Sequence, residues 1–316
     1  MSRLAVLLAA YNGEPYIAQQ LDSLFAQTCQ DFTIYIHDDG STDGTLNVIK
    51  DYIQRYPGRI HLLEYAPTGG AKENFFSLLN RVEADYYMFC DEDDYWQPEK
   101  IKLTMERMEE TEGQNREIPC LVFTDMAVTD AALHITHPSY LQYRKKNPKD
   151  LSLKALLVEN TAAGCTILCN RTLAKLAMGY EDSRHIFMHD WWLMVTAAAL
   201  GRISWIDQPL VLYRQHGNNT VGAHTGRLSW MKRIIKNVSG GRQLASSKEG
   251  ILLQRSMAAE LFEIINQMPA CSKEDRALLQ DLAKIAEKPW LQRVSFYRKH
   301  RLLKQDKKNF WKLLLV

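Results

Sequence analysis

The first 95 residues repeat one alternation, in which a short apolar run of strand type is followed by a polar turn and an amphipathic helical stretch. The apolar runs lie at 4–10, 32–36, 60–64 and 86–90. Strands that are apolar throughout and separated by helices are typical of a parallel sheet covered on both faces. The pattern therefore predicts an α/β fold with a doubly wound, mostly parallel sheet flanked by helices.

The fourth apolar run ends in four consecutive carboxylates at 91–94, which precede an aromatic pair and a helix beginning near Pro98. On an extended backbone Asp91 and Asp93 would project to the same side. Ligands of open α/β sheets bind at the carboxyl ends of the strands, so this pair predicts a site for a divalent cation. Helix capping is the simpler alternative, but it needs only one acid and adjacent like charges repel.

Beyond residue 100 the pattern is mixed, and from residue 227 it predicts only helices and turns. The segments expected to form strands are 121–123, 163–169, 203–206 and 211–214. The segments expected to form helices are 151–158 and 191–200, and a polar, basic loop is expected over 134–150.

Charge divides the chain into two parts. Residues 227–316 hold 19 Lys and Arg against 8 Asp and Glu, whereas residues 1–226 hold 20 against 29. We therefore expect a catalytic domain at 1–226 and a basic α-helical region at 227–316 that contacts a membrane or another subunit.

Cysteine usage and hydropathy bear on the compartment. The six cysteines form no CxxC pair, no signal peptide is evident, and no stretch approaches the roughly 18 apolar residues of a membrane span. We expect a reduced, cytoplasmic protein without disulfides or structural zinc, and we expect no nucleic-acid partner.

Three predicted strand ends carry polar motifs, AAYNGEPYI at 9–17, DDGSTDGT at 38–45 and DEDDYW at 91–96. HDWW follows at 189–192 and YRQHGNNTVG at 213–222. In this order and spacing the motifs resemble the inverting family 2 glycosyltransferases of the GT-A fold, of the rhamnosyltransferase-like type that builds bacterial surface polysaccharides. The resemblance implies a GT-A (Rossmann-like) domain with a helical C-terminal extension.

The resemblance also implies which residues contact the nucleotide of a nucleoside-diphosphate sugar. These are Ala10, Tyr11, Asn12, Glu14, Asp39, Lys72, Asn74, Asp91 and Glu92. Asp39 would accept the imide N–H of a pyrimidine base, but an Asx turn next to a glycine also explains an acid there. Lys72 fits a solvated loop position equally well. Uracil and thymine present the same imide edge, so UDP and dTDP both stay open.

For the metal, the resemblance implies Mn²⁺ or Mg²⁺ held by Asp91, Asp93 and His216. Oxygen ligands suit either ion, and an imidazole favours Mn²⁺. Arg214 would contact the diphosphate.

For catalysis, the resemblance implies that Asp190 is the general base. An N-cap role in the following helix explains Asp190 as well, and the two roles are compatible. The residues implied around the donor and acceptor sugars are Gly164, Cys165, His189 and Trp191. Close packing of small residues and burial of Trp191 in the core are the structural alternatives.

The expected acceptor is a glycan or a lipid-linked glycan. Residues 289–316 hold eight Lys and Arg against one Asp among several aromatic residues, which is typical of a segment lying in an anionic membrane interface. Packing on the catalytic domain, or a homodimer, is the alternative. Two other functions stay open: a sugar nucleotidyltransferase, although no Gly-rich, Arg-containing phosphate loop follows the first strand, and a catalytically inactive relative that binds nucleotide sugars.

Overall fold

The computed structural model describes residues 2–216, 248–266 and 271–302. The strands of these residues are β1 (Ser2–Ala10), β2 (Thr33–Asp38), β3 (Ile60–Leu62), β4 (Ala84–Asp91), β5 (Tyr95–Trp96), β6 (Cys120–Thr129), β7 (Ile135–His137), β8 (Ile167–Asn170) and β9 (Arg202–Arg214). They form one sheet in the order β3-β2-β1-β4-β8-β6-β9-β5, and β7 pairs with β6.

Strands β1 to β4 are parallel, as the alternation predicts. Ala10 pairs with Asp38 and Ala9 pairs with Asp91, so β1, β2 and β4 end at the same edge. Strand β8 runs antiparallel between β4 and β6, whereas β9 runs parallel to β6. The sheet is therefore mixed and mostly parallel.

Helices cover both faces of the sheet. Their bounds are α1 (Ile17–Phe25), α2 (Thr45–Arg55), α3 (Ala71–Arg81), α4 (Lys100–Glu112), α5 (Tyr140–Tyr143), α6 (Leu153–Val158), α7 (Arg171–Ala177), α8 (His189–Leu200), α9 (Lys248–Asn266), α10 (Lys273–Ala283) and α11 (Trp290–His300). On β1, Val6 and Leu8 lie in one core cluster, and Ala5 and Leu7 lie in the other. This alternation explains why β1 is apolar throughout.

The predicted fold class is confirmed, three local predictions are wrong, and one helix was missed. The loop over 134–150 contains β7 and α5, and the segments 203–206 and 211–214 belong to the single strand β9. Segment 163–169 begins with a 3₁₀ turn, Gly164–Thr166, before β8. Helix α7 was not predicted, because its seven residues are too few to show a clear helical period.

The C-terminal helices pack on the sheet domain. Leu261 of α9, Leu282 of α10 and Tyr297 of α11 lie in the same core cluster as Trp192 of α8. Helix α8 is apolar on nearly all sides, as expected of a helix enclosed by other elements. The predicted boundary between residues 226 and 227 lies outside the described residues, as does the end of the basic tail from residue 303 onward.

Among the described residues, no helix combines the length and the apolar character needed to cross a bilayer. All six cysteines are free thiols.

Candidate active site

The loops after β1 and β2 are joined by hydrogen bonds. The Asn12 backbone N–H donates to Ser41 Oγ at 2.8 Å, and Asn12 Oδ1 accepts from the Thr42 N–H at 2.8 Å. Glu14 Oε2 accepts from the Gly44 N–H at 2.8 Å. Through these bonds Asn12 and Glu14 hold the two loops together. Contact of either residue with a nucleotide stays a prediction.

Two other nucleotide-binding candidates differ in access. Ala10 is buried at the end of β1, and its carbonyl accepts from the Asp39 N–H at 2.8 Å. Tyr11, in contrast, is 56% exposed beside these loops. An exposed aromatic ring next to a polar loop is available to a planar base.

Asp39 is half-buried and is the first residue of the loop that follows β2. Its Oδ1 accepts from the Thr68 N–H and, at 2.8 Å, from Thr68 Oγ1, while Oδ2 accepts from the Gly69 N–H at 3.1 Å. A carboxylate has about four acceptor positions, so Oδ2 retains capacity for one more donor. Asp38 instead closes the turn by accepting from the Ser41 N–H at 2.8 Å. The base-recognition role of Asp39 stays a prediction.

Lys72 and Asn74 begin α3. Lys72 Nζ donates to the carbonyl oxygens of Ser183 and Ile186 at 2.9 and 3.0 Å, and so fixes the loop that leads to α8. Asn74 is buried and bonds His37 Nδ1 at 2.9 Å through its Oδ1. Both side chains therefore have partners within the protein, and their contact with a nucleotide stays a prediction.

The carboxylate run does not continue as an extended strand. Strand β4 ends at Asp91 and the chain turns at Glu92 and Asp93. Asp93 consequently faces His216, whose Nε2 lies 2.7 Å from Asp93 Oδ2. The expected alternation of sides is wrong beyond Asp91, because a turn replaces the two-residue period that it assumed.

Glu92 packs on the β1 loop. A Cβ atom at Gly13 would lie 2.4 Å from Glu92 Cγ, so only glycine fits at that position. Burial, followed by the charges of Asp93 and Asp91, raises the pKa of Glu92 well above its usual value.

The carboxylates at this edge fit a divalent cation. Burial, followed by the charges of Asp93 and Asp190, raises the pKa of Asp91 to about 7. Acidic groups that oppose each other's ionisation are stabilised together by a bound cation. His216, stacked on Tyr16 at 4.6 Å between ring centroids, adds an imidazole beside Asp93.

Arg214 lies at the end of β9 and is 2% exposed. Its Nε donates to Asp93 O at 2.7 Å, and its Nη2 donates to Gln19 Oε1 at 2.7 Å. Its backbone N–H donates to Asp94 Oδ1 at 3.1 Å. Arg214 therefore stabilises the turn over residues 92–94, which we call the carboxylate turn. Its contact with the diphosphate stays a prediction.

Asp190 lies in the first turn of α8, where its Oδ1 accepts from the Trp191 N–H at 2.6 Å. Helix α8 begins at His189 with Met188 at the N-cap position, so the alternative in which Asp190 caps the helix is wrong, and Asp190 is an acidic residue of the first turn. Burial raises the pKa of Asp190, hydrogen bonds from Trp191, Gly164 and Asn160 offset part of this rise, and the resulting pKa is about 6. A carboxylate of this kind suits a general base that works near neutral pH.

Lys146 is a site residue that the sequence analysis missed. Its Nζ donates to Glu159 Oε1 at 2.5 Å and to Asn160 O at 2.7 Å, and its charge lowers the pKa of Asp190. It lies in the loop over 134–150, where several lysines and arginines are equivalent by sequence. Only the fold distinguishes Lys146 from them.

The remaining sugar-site candidates line the floor beside Asp190. Gly164 lies directly over His189, because a Cβ atom there would be 2.6 Å from His189 Nε2. His189 is 2% exposed and lies between Phe75 and Phe89, at 4.3 and 5.0 Å between ring centroids. Burial lowers the pKa of His189 to about 3.

Trp191 and Cys165 are both buried. Trp191 Nε1 donates to Leu156 O at 2.5 Å, as expected of a core residue, and Cys165 faces the carboxylate turn. Contact of these residues with a sugar stays a prediction.

The chain is similar to several known proteins. The model of the family described as "Glycosyl transferase family 2" matches residues 5–172. The dTDP-rhamnosyl transferase RfbG of Shigella flexneri is 32% identical over 237 residues, which are 72% of this chain and 78% of that protein.

Two solved structures share the fold. S. aureus TarS 1–349 in complex with UDP-GlcNAc has a TM-score of 0.52 at 17% identity, over 96% of this chain and 93% of that chain. The mannosyltransferase PcManGT from Pyrobaculum calidifontis, in complex with GDP-Man and Mn²⁺, has a TM-score of 0.50 at 14% identity, over 99% and 86%. The chain therefore belongs to glycosyl transferase family 2, and it is a glycosyltransferase with the GT-A fold that the sequence predicted.

Proposed function

We propose that this protein is a metal-dependent, inverting glycosyltransferase whose donor is a UDP-sugar or a dTDP-sugar. The acceptor is a hydroxyl group of a glycan or a lipid-linked glycan in bacterial surface polysaccharide synthesis. The observation that carries the proposal is the proximity of the candidate base to the candidate metal carboxylates: the charge of Asp190 contributes to the raised pKa of Asp91. The name of the 32% identical relative supports a dTDP-sugar donor among the two.

The donor would lie across the edge where β1, β2 and β4 end. Asp39 would accept the imide N–H of the base, and Tyr11 would stack beside it. Asp93 and His216, with Asp91, would hold Mn²⁺ or Mg²⁺. The ion would neutralise the charge that develops on the departing diphosphate.

Asp190 would act on the acceptor. Its carboxylate takes the proton of the acceptor hydroxyl as that oxygen attacks the anomeric carbon. The new carbon–oxygen bond forms on the face opposite the bond to the diphosphate, which breaks, so one displacement inverts the configuration. Trp191 holds the carboxylate in place through its backbone N–H.

The pH dependence of sugar transfer should reflect the ionisation of the Asp190 carboxyl group. Since only the ionised carboxylate accepts a proton, kcat/KM should fall as the pH drops through about 6. The charge of Lys146 lowers the pKa of Asp190, so Lys146→Met should move this acidic limb to higher pH by up to about one unit. Lys149→Met, at an exposed position of the same loop, should leave the limb in place. A fall in rate for Lys146→Met without a shift of the limb would assign Lys146 a structural role alone.

Nucleotide preference can be measured by thermal unfolding with Mn²⁺ present. At 100 times Kd, UDP or dTDP should stabilise the fold by about 2.7 kcal/mol and raise Tm by roughly 5 °C or more. Asp39→Asn should reduce this shift, because the amide presents a donor or a weaker acceptor to the imide N–H. If GDP raised Tm as much as UDP or dTDP did, or if Asp39→Asn kept the same rise in Tm as the unmodified protein, recognition of a pyrimidine by Asp39 would be contradicted.

A membrane surface is the partner proposed for α11. Phe296 and Tyr297 fix the helix on the protein core, whereas Trp290 and Leu291 are 56% and 63% exposed. Basic residues are exposed at the other end of the helix, namely Arg298, Lys299 and Arg301. Exposed aromatic, aliphatic and basic residues on one helix are typical of contact with anionic lipid.

Flotation with anionic vesicles at low salt tests this partner. Each basic residue near such a surface contributes about 1 kcal/mol, so the double variant Arg298→Glu/Lys299→Glu should reduce binding at least about tenfold. Leu252→Ser, an exposed site on α9, should bind as the unmodified chain does. If the protein does not bind the vesicles, the membrane proposal is wrong, and a homodimer contact becomes the explanation for the exposed face of α11.

A further inference from the structure

A second group of potential ligands lies beside the Asp93–His216 pair. Asp91, Asp94 and Cys165 each offer one ligand atom, and these three atoms lie within 4.8 Å of one another. Asp94 is 0% exposed and Cys165 is 1% exposed. The roles proposed above use Asp91 as a metal ligand but give Asp94 and the Cys165 thiol no function in metal binding.

Asp94 presents a buried acceptor in this group. Its Oδ1 accepts from the Arg214 N–H at 3.1 Å, whereas its buried Oδ2 has no N–H or O–H donor among the described residues, and the Cys165 thiol is the neighbour that interacts with the carboxyl group. Buried polar atoms are nearly always satisfied and a thiol is a weak donor, so this buried carboxylate oxygen next to two other ligand atoms points to a bound cation.

The charges nearby favour an ion of charge two. The ammonium group of Lys100 is fully buried over the Trp96 ring, 3.4 Å from the ring centroid, and it neighbours Cys165 and Asp94. With an ion bound and all three ligands ionised, two carboxylates and a thiolate would place three negative charges against one ammonium. A divalent cation would make this group neutral, and a buried neutral group avoids the cost of uncompensated charge.

The thiol selects which divalent ion fits. Mg²⁺ and Mn²⁺ prefer oxygen ligands, whereas Zn²⁺ readily takes a mixture of thiolate and carboxylate ligands in a tetrahedron. Ligand atoms on one zinc ion lie roughly 3.5 Å apart, so the three atoms, which lie within 4.8 Å of one another, would draw closer together on binding. We propose that Asp91, Asp94 and Cys165 form a thiophilic cation site that binds Zn²⁺.

Binding would be coupled to transfer through Asp91. The ion displaces the proton of the Cys165 thiol to solvent and forms a bond to the sulfur, with no change in oxidation state. Since Asp91 also belongs to the proposed Mn²⁺ or Mg²⁺ site, Zn²⁺ would inhibit transfer. This consequence rests on the proposed function, but occupancy of the site does not.

Cobalt spectroscopy of the metal-free full-length protein tests occupancy without any activity measurement. Co²⁺ should produce a near-ultraviolet thiolate-to-cobalt charge-transfer band that saturates at one ion per chain. Zn²⁺ should remove the band and excess Mg²⁺ should not. The band should be lost in Cys165→Ser and in Asp94→Asn. It should persist in Cys169→Ser, a matched buried cysteine in β8, and in Cys29→Ser, the half-buried one.

Absence of the band in the unmodified protein, its survival in Cys165→Ser, or its loss in Cys29→Ser would overturn the proposal. Circular dichroism of each variant shows whether it folds, and Asp94→Asn decides the matter if Cys165→Ser does not. Asp93→Asn separates the two proposals, because it should keep the cobalt band while losing metal-activated transfer. If it keeps both, the proposed function fails on its metal and the thiophilic site stands.

Discussion

We expect Asp190→Asn to lower the turnover of sugar transfer about 10²–10⁴-fold, the range for removing a general base. The amide cannot take the proton of the acceptor hydroxyl, whereas its oxygen still accepts from the Trp191 N–H, which is bonded at 2.6 Å in the native protein. The first turn of α8 should therefore keep its geometry. Turnover is measured at saturating donor and acceptor, so that binding does not enter the comparison.

The stability of this variant provides the control for misfolding. The pKa of Asp190 is raised to about 6 in the folded state, above its ordinary value of 3.8. A raised carboxylate pKa means that the folded state loses stability as the pH rises from about 4 through about 6. Asp190→Asn removes that loss, so its Tm at neutral pH should equal or exceed that of the native chain.

Nucleotide-induced shifts in Tm should also be retained, because the role proposed for Asp190 is toward the acceptor and not the nucleotide. Near-normal turnover in Asp190→Asn would require another base. His189 is a poor substitute, since burial lowers its pKa to about 3 and encloses both ring nitrogens.

The sheet edge that forms the site was predictable, because it depends on local patterns. Four apolar runs separated by amphipathic helices specify parallel strands, and parallel strands bring their carboxyl ends together. The motifs at those ends point to Asp39 and Asp91, and the later HDWW motif points to Asp190, as candidates whose roles stay predictions. Family membership confirms the enzyme class that those motifs implied.

What the sequence could not give is the partner of each polar side chain. Asn12 and Glu14 bond the neighbouring loop about 30 residues away, and Arg214 clamps Asp93 from 121 residues away. Such pairs depend on which loops the sheet order brings together. The turn at Glu92 was hidden as well, because a run of four acids has no hydrophobic period to show where the strand ends.

The second large effect is expected for Asp93→Asn in the presence of Mn²⁺. A metal ion that neutralises a departing diphosphate lowers the activation barrier by several kcal/mol. Loss of about 4 kcal/mol of this stabilisation corresponds to roughly a 10³-fold loss in kcat/KM. The matched control is Asp85→Asn, an exposed carboxylate near the opposite end of β4, which should retain activity. Activity of the native chain that survives exhaustive chelation would contradict the metal requirement.

His216 allows the metal prediction to be refined from its geometry. The imidazole lies 2.7 Å from Asp93 Oδ2, and stacking on Tyr16 holds the ring, so one nitrogen is positioned for the same ion as the carboxylate. Nitrogen ligands favour Mn²⁺ over Mg²⁺, whereas oxygen ligands serve both. His216→Gln should therefore raise the Mn²⁺ concentration needed for half-maximal activity more than the Mg²⁺ concentration, and so narrow the difference between the two ions. Equal increases for both ions would mean that His216 only orients Asp93, and the cation would then depend on the carboxylates alone.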